Sequence, residues 1–242
     1  QEHFTYPEAI KYLAKKYGIE IEETIQTDEQ KEKENQRESL YLLSDYAKKY
    51  FHNVLLKIEE GKAIGLTYFK ERGFTQETIE KFMLGYSPDK WTAFTDKAIK
   101  DGYKLEFLKQ TGLTVVKEAS GALSEGKVES TQGKQFDRFK GRVMFPILSM
   151  SGRTLGFGGR ILGANKKAAK YLNSPESDIY HKSKVLYGIY QAKQSIAKED
   201  NCYLVEGYTD VIQFYQLGVK NVVSSSGTAL TPDQIRLINR IT

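Results

Sequence analysis

The chain has 242 residues, 36 basic against 31 acidic, and 40% of it is hydrophobic. That length suits one large or two modest domains. It lets roughly 70% of the unfolded surface be buried without cross-links, and the composition excludes collagen-like and wholly disordered classes. The single cysteine, Cys202, excludes an internal disulfide framework and a multi-cysteine zinc cage, and fits a reducing compartment. Apolar runs such as 143–148 are far too short to cross a bilayer, so no membrane partner is expected. The first residues lack a signal-peptide pattern and do not begin with Met, which reads as a piece of a longer polypeptide in the cytoplasm.

In chain order, Thr5-Tyr6-Pro7-Glu8 is a capping box that opens a helix through Ile10, Leu13, Ala14 and Tyr17, closed by Gly18. Residues 22–38 are polar and charged and read as a linker or an exposed helix start. Leu40, Leu43, Ala47, Tyr50, Phe51, Val54 and Ile58 trace one face of a long helix. Shorter helices are expected near 63–72, 76–84 and 92–100, separated by Gly73, by Gly85-Tyr86-Ser87-Pro88 and by Gly102. Residues 120–133 read as a polar loop or irregular hairpin. A strand at 142–148, a turn at Ser151-Gly152 and a Gly-rich strand at 154–162 follow; glycine inside a strand marks a bulge or a close backbone approach. A helix at 187–197 then gives way to a strand at 202–206, a helix at 208–217, a strand at 221–224 and a helix opened by Thr231-Pro232-Asp233-Gln234. Strand–helix alternation at this spacing implies a parallel, right-handed unit. The fold class expected is α/β: a basic α+β region followed by a partial parallel βαβα unit.

Charge is unevenly placed. Residues 1–40 carry 6 basic and 10 acidic residues, whereas 134–184 carry 11 basic residues against Asp137, Glu176 and Asp178, a net of +8. Aromatic residues interleave this basic block, a pattern that suits a polyanion track. The plainer reading is a solvated surface.

Glu206-Gly207-Tyr208-Thr209-Asp210 falls where a strand ends and a helix begins, the place where open parallel sheets gather ligands. Two carboxylates there suit Mg²⁺, which wants oxygen ligands, or they simply complement a helix N-terminus. The G-x-x-x-x-G-K stretch at 121–127 lacks the following Ser/Thr of a phosphate loop, and Gly156–Arg160 is not a dinucleotide fingerprint. His3 and His52 have no metal spacing; His181, beside Lys182, is a candidate phosphate contact. Cys202, opening a strand, reads as a core residue rather than a nucleophile.

Six segments in order resemble the bacterial replicative DNA primase family: 137–146 (DRFKGRVMFP), 156–160 (GFGGR), 170–176 (KYLNSPE), His181-Lys182, Leu186-Tyr187-Gly188 and 205–211 (VEGYTDV). The last is the toprim pattern that primases share with topoisomerases and some nucleases. The resemblance implies a DNA-directed RNA polymerase that makes primers on single-stranded DNA from ribonucleoside triphosphates with Mg²⁺ or Mn²⁺. It implies Glu206 as the metal-linked catalytic carboxylate, with Asp210 as a second metal ligand. Arg138, Lys140, Arg142, Arg160, Lys170, Asn173, His181 and Lys182 would line the template and nucleotide surface. It further implies three parts: 1–38, the trailing helix of a zinc-binding domain whose Zn²⁺ this chain does not bind, with a linker; 39–199, the basic subdomain; and 200–242, the start of a toprim domain. Replicative helicase and single-strand-binding protein would engage a C-terminal region not in this sequence, and the expected state is a monomer at the replication fork. The family's Asp-x-Asp strand would follow Thr242, so this piece alone is expected to be inactive. The competing readings are a toprim nuclease or topoisomerase, and a non-catalytic single-strand-binding module.

Overall fold

The computed structural model describes residues 12–14, 16–17, 27–117, 134–163, 169–225 and 229–242. The Thr5 capping box, the 120–133 loop and the 121–127 glycine stretch lie outside, or almost wholly outside, the described residues. The chain divides into two units, 1–36 and 37–242. In the first, 12–14 and 16–17 are helical, and the first turns of helix α1 (Asp28–Lys57) begin. The polar stretch before residue 38 is thus helix from Asp28. A reciprocal cap starts it: Gln30 N–H donates to Thr27 Oγ1 and Thr27 N–H to Gln30 Oε1.

In the second unit α1 buries Leu40, Leu43, Ala47, Phe51, Val54 and Leu55 at helical spacing. Ile58, expected on that face, lies beyond the helix end and is exposed. A six-residue π-helical stretch, Gly61–Leu66, then runs into α2 (Thr67–Glu71). Gly61 is required there, because a Cβ would stand 2.0 Å from the Val54 carbonyl oxygen. α3 (Gln76–Lys81) is capped by Thr75, whose Oγ1 accepts from Thr78 N–H. Gly85-Tyr86-Ser87 is not a separating turn, as its composition suggested, but a buried strand, β1 (Gly85–Ser87). Helices α4 (Ala93–Lys100) and α5 (Leu105–Gln110) follow, then a small hairpin of β2 (Thr114–Val116) and β3 (Gln135–Asp137). Buried Asp137 holds the start of α4 by accepting from Phe94 N–H, Thr95 N–H and Thr95 Oγ1. Burial raises its carboxyl pKa, and these hydrogen bonds oppose the rise.

The main sheet is antiparallel, ordered β1-β4-β5-β6, with β4 (Arg142–Leu148), β5 (Thr154–Ile161) and β6 (Tyr171–Asn173). Pro146 lies beyond the stretch of β4 that pairs β1, so its missing N–H breaks no bond on that side. The glycines of β5 are close approaches: a Cβ on Gly158 would stand 2.3 Å from the Tyr208 ring, and one on Gly159 would stand 2.6 Å from Phe139.

After α6 (Ile189–Glu199), β7 (Tyr203–Val205) and β8 (Val222–Ser224) pair in parallel across α7 (Tyr208–Gln216), as the alternation predicted. β8 is also bonded to Tyr187 on its other side. β7 is shorter than expected and is not buried: Tyr203 and Leu204 are exposed, and no strand pairs with its outer edge among the described residues. Cys202 is accordingly half-buried rather than core. α8 (Pro232–Asn239) begins at the expected capping box. One apolar core joins α1 and the β4–β5 sheet to Tyr208, Val211, Ile212 and Val222, so the parallel unit shares the interior of the basic region.

Candidate functional site

Gly207 caps α7, and its N–H donates to Asp210 Oδ2 at 3.1 Å. One Asp210 oxygen is therefore committed to the helix start. Glu206 sits at the carboxyl end of β7, its carbonyl bonded by Ser224 Oγ at 2.9 Å. Its exposed carboxylate has no partner among the described residues. Among those residues no three acidic, histidine or cysteine groups gather as a metal would require. A six-coordinate hard cation is therefore not satisfied by Glu206 and Asp210 alone.

Tyr208, between the two carboxylates, ties this turn to the main sheet. Its hydroxyl donates to Asn173 Oδ1 at 2.7 Å, and its ring stacks on Phe145 with centroids 5.3 Å apart. The ring occupies the space that Gly158 leaves open. Asn173 thus comes to the Glu206 turn through one side-chain bond.

β6 is the meeting place of several expected site residues. Lys170 precedes it, exposed, with no acidic partner among the described residues. Arg160, on the facing strand β5, places its guanidinium 4.8 Å from the Tyr68 ring and 5.7 Å from Tyr171, and bonds the Tyr68 hydroxyl. Its Nε is buried without a partner. Arg72 lies 5.3 Å from the same Tyr68 ring.

Arg138 and Arg142 behave differently from the surface cations expected. Arg138 donates from Nε and Nη2 to the Asn173 carbonyl. Arg142 is only 6% exposed, and its Nη1 donates to the carbonyls of Gly159, Ala169 and Lys170 at 3.0–3.3 Å. Burial lowers both pKa values, and for Arg142 the neighbouring Arg138 charge adds to it. Together they brace the two ends of β6.

His181 and Lys182 stand on a separate turn (Lys182–Lys184). Glu176 organises it, accepting from Lys182 N–H at 2.9 Å and meeting His181 Nδ1 at 3.1 Å. His52, set aside earlier, bonds the Leu84 carbonyl from α1. Lys140 pairs with Asp89 and lies 4.8 Å from the ring of Trp91, which is 66% exposed. Phe136 meets Trp91 edge-on, and Lys117 lies over Phe136. Trp91, Tyr68 and Arg72 lie outside the basic window that the sequence singles out. The available signal was Trp91, the sole tryptophan, set among the turn residues Pro88-Asp89-Lys90.

Cations set beside aromatic rings, Arg160 with Tyr68 and Tyr171 and Lys140 with Trp91, suit a polyphosphate chain with stacked bases. Residues 50–193 match the family model of the DNA primase catalytic core, N-terminal domain. The chain belongs to this DNA primase family. Residues 200–242 match the Toprim domain. The chain is 43% identical over 240 residues to the DNA primase of Halalkalibacterium halodurans, covering 99% of this chain and 37% of that protein. It is 34% identical over 237 residues to that of Escherichia coli K12, covering 98% and 38%. The chain therefore spans a little over a third of the length of these relatives. Among solved structures, the DnaG primase catalytic domain bound to ssDNA aligns at TM-score 0.74 and 36% identity over 86% of this chain and 62% of that one. The zinc-binding and RNA polymerase domains of Aquifex aeolicus primase align at TM-score 0.72 and 33% identity over 99% and 52%.

Proposed function

We propose that this primase chain carries the template- and nucleotide-binding face of an RNA-primer polymerase, with Glu206 as its catalytic carboxylate. The observation that carries this reading is the Tyr208–Asn173 bond, which joins the Glu206 turn to the edge strand that Lys170 precedes. Single-stranded DNA would follow the cations and rings of Arg160, Tyr171, Lys140 and Trp91. The triphosphate of an incoming ribonucleotide would meet Lys170, Lys182 and His181. Arg suits bidentate phosphate contact and Lys gives a point charge. Asp210 orients the turn through its cap, and Glu206 offers a free carboxylate. A bound Mg²⁺ or Mn²⁺ would supply charge neutralisation on the phosphate oxygens; a complete shell needs ligands beyond Glu206 and Asp210. We place the parts at 1–38, 39–199 and 200–242. The remaining associations of the reading are a Zn²⁺-binding N-terminal domain, and helicase and single-strand-binding protein as partners at the replication fork.

The test is anisotropy of a labelled single-stranded oligonucleotide with the 242-residue chain. With about four phosphates contacted, affinity falls roughly 50-fold between 50 and 200 mM salt. Lys170→Ala and Arg160→Ala each weaken binding, and a response flat in salt and indifferent to both substitutions overturns the reading. A binding-only role draws support from the lack of a three-ligand acidic group among the described residues. Glu206→Gln separates the two: in a primase polypeptide carrying this segment it abolishes primer synthesis and leaves oligonucleotide affinity unchanged if Glu206 is catalytic, and leaves both unchanged if the segment only binds.

A further inference from the structure

Gln234 is fully buried, at 0% exposure, one turn into α8. A capping box asks one thing of this position, an oxygen to accept from the N-cap N–H, and Glu serves as well as Gln. Here Oε1 does that work, accepting from Thr231 N–H at 3.1 Å. The amide nitrogen is left over, and in a buried setting a spare donor needs an acceptor. Nε2 donates to the carbonyls of Lys182 at 3.2 Å and Val185 at 2.8 Å. Thr231 divides itself in the same way: its Oγ1 accepts from Gln234 N–H and donates to the Ser183 carbonyl at 2.5 Å.

The donors a cap does not need are thus all spent on the short turn that carries Lys182. On its other side that turn is held by Glu176, which accepts from Lys182 N–H. The Lys182 backbone is bonded at both its N–H and its carbonyl, while its ammonium has no acidic partner among the described residues. A free cation on a fixed backbone is what phosphate positioning requires. Gln234 lies in the Toprim-matching segment and Lys182 in the primase-core segment.

We propose that Gln234 is a positioning residue: its amide fixes the 182–185 turn from the Toprim side and so sets Lys182 toward phosphate. The inference rests on the basic face binding nucleic acid. It is tested on the 242-residue chain by oligonucleotide anisotropy across salt with Gln234→Glu, Lys182→Ala and the double variant. Gln234→Glu keeps the oxygen that caps α8 and loses both donors to the turn. The expected result is that Gln234→Glu and Lys182→Ala weaken binding by the same factor. Each lowers the salt slope by the roughly 0.7 of one single-strand phosphate, and the double variant is no weaker than the weaker single one. Unchanged affinity and slope in Gln234→Glu, or losses that multiply in the double variant, overturn the inference. Gln234→Met, an uncharged replacement of similar length, repeats the comparison if the buried carboxylate prevents folding. Absence of oligonucleotide binding by the unaltered chain overturns the functional reading itself; intact binding with an indifferent Gln234 overturns only the clamp.

Discussion

Arg142 has the same formal charge as Lys170, and the two do opposite work. The guanidinium of Arg142 is turned inward onto three carbonyls, whereas the ammonium of Lys170 is exposed. Arg142→Met leaves those carbonyls short of a donor, at a cost of about 2 kcal/mol. In a chain of this size that lowers the melting temperature by roughly 4–8 °C. Lys170→Met leaves the melting temperature within a degree or so of the unaltered chain, and removes about 0.7 from the salt slope of oligonucleotide binding. Differential scanning fluorimetry beside anisotropy separates the two residues, and equal melting losses would contradict the contrast. Cys202 makes a second residue-level case. Burial pushes its thiol up from 9.0 to about 11. At pH 8 its thiolate fraction is about a hundredfold below that of an unshifted thiol, and alkylation by iodoacetamide is slowed, by less than that factor because a more basic thiolate is the better nucleophile, until denaturant is added. The sequence marks Cys202 as a core residue, whereas the side chain is half-buried at a strand's start. The sequence could not distinguish Arg142 from Lys170, because a sequence records a charge and not the acceptor its donors face.

The elements divide by how much local chemistry defines them. β4, β5, α7 and α8 were legible: an apolar run between glycines, a Gly-rich run, a helical apolar face and a capping box each carry a local signal. β1, β2, β3 and β6 were not, since each is three residues long and exists by pairing with a remote partner. Gly85–Ser87 even has turn composition, yet the register Gly85–Met144, Tyr86–Val143 and Ser87–Arg142 makes it strand. The Tyr208–Asn173 link between the two halves of the site was invisible for the same reason, since it depends on that edge strand. The π-helical stretch after α1 gives an element-scale prediction. Its entry passes so near the Val54 carbonyl that Gly61→Ala must move backbone rather than a flexible side chain. The expected loss is about 3 kcal/mol, read as a shifted urea midpoint with unchanged slope. An alanine tolerated at 61 would mean that α1 and the stretch after it adjust freely.

At the scale of the molecule, the proposed nucleic-acid face would combine two kinds of grip, phosphate attraction by cations and base stacking on rings. Because the chain has one tryptophan and it is exposed on that face beside Lys140, intrinsic fluorescence reports stacking directly. Titration with a single-stranded oligonucleotide quenches Trp91 emission, and Trp91→Ala weakens binding by about 1–3 kcal/mol while leaving the salt slope unchanged, because a ring contacts no phosphate. Unquenched emission at saturation would remove Trp91 from the track. Family membership followed from motif order along the chain, and the α/β class from its strand–helix alternation. The aromatic partners of the cations did not, since Tyr68 and Trp91 lie outside the basic window.

The Tyr208 ring fills the space in which any residue but glycine at 158 would place its first side-chain carbon. Two positions fifty residues apart are therefore sterically coupled. Gly158→Ala alone pushes the ring off Phe145 and, with it, the hydroxyl off Asn173. Gly158→Ala combined with Tyr208→Leu restores room and recovers part of the stability, though not the tie to Asn173. A protein drifting under selection can thus cross this site only by a paired change, and the second member of the pair gives up the bond that joins the acidic turn to the basic sheet. Sequences that keep that joint are confined to glycine at one position by an aromatic ring at the other.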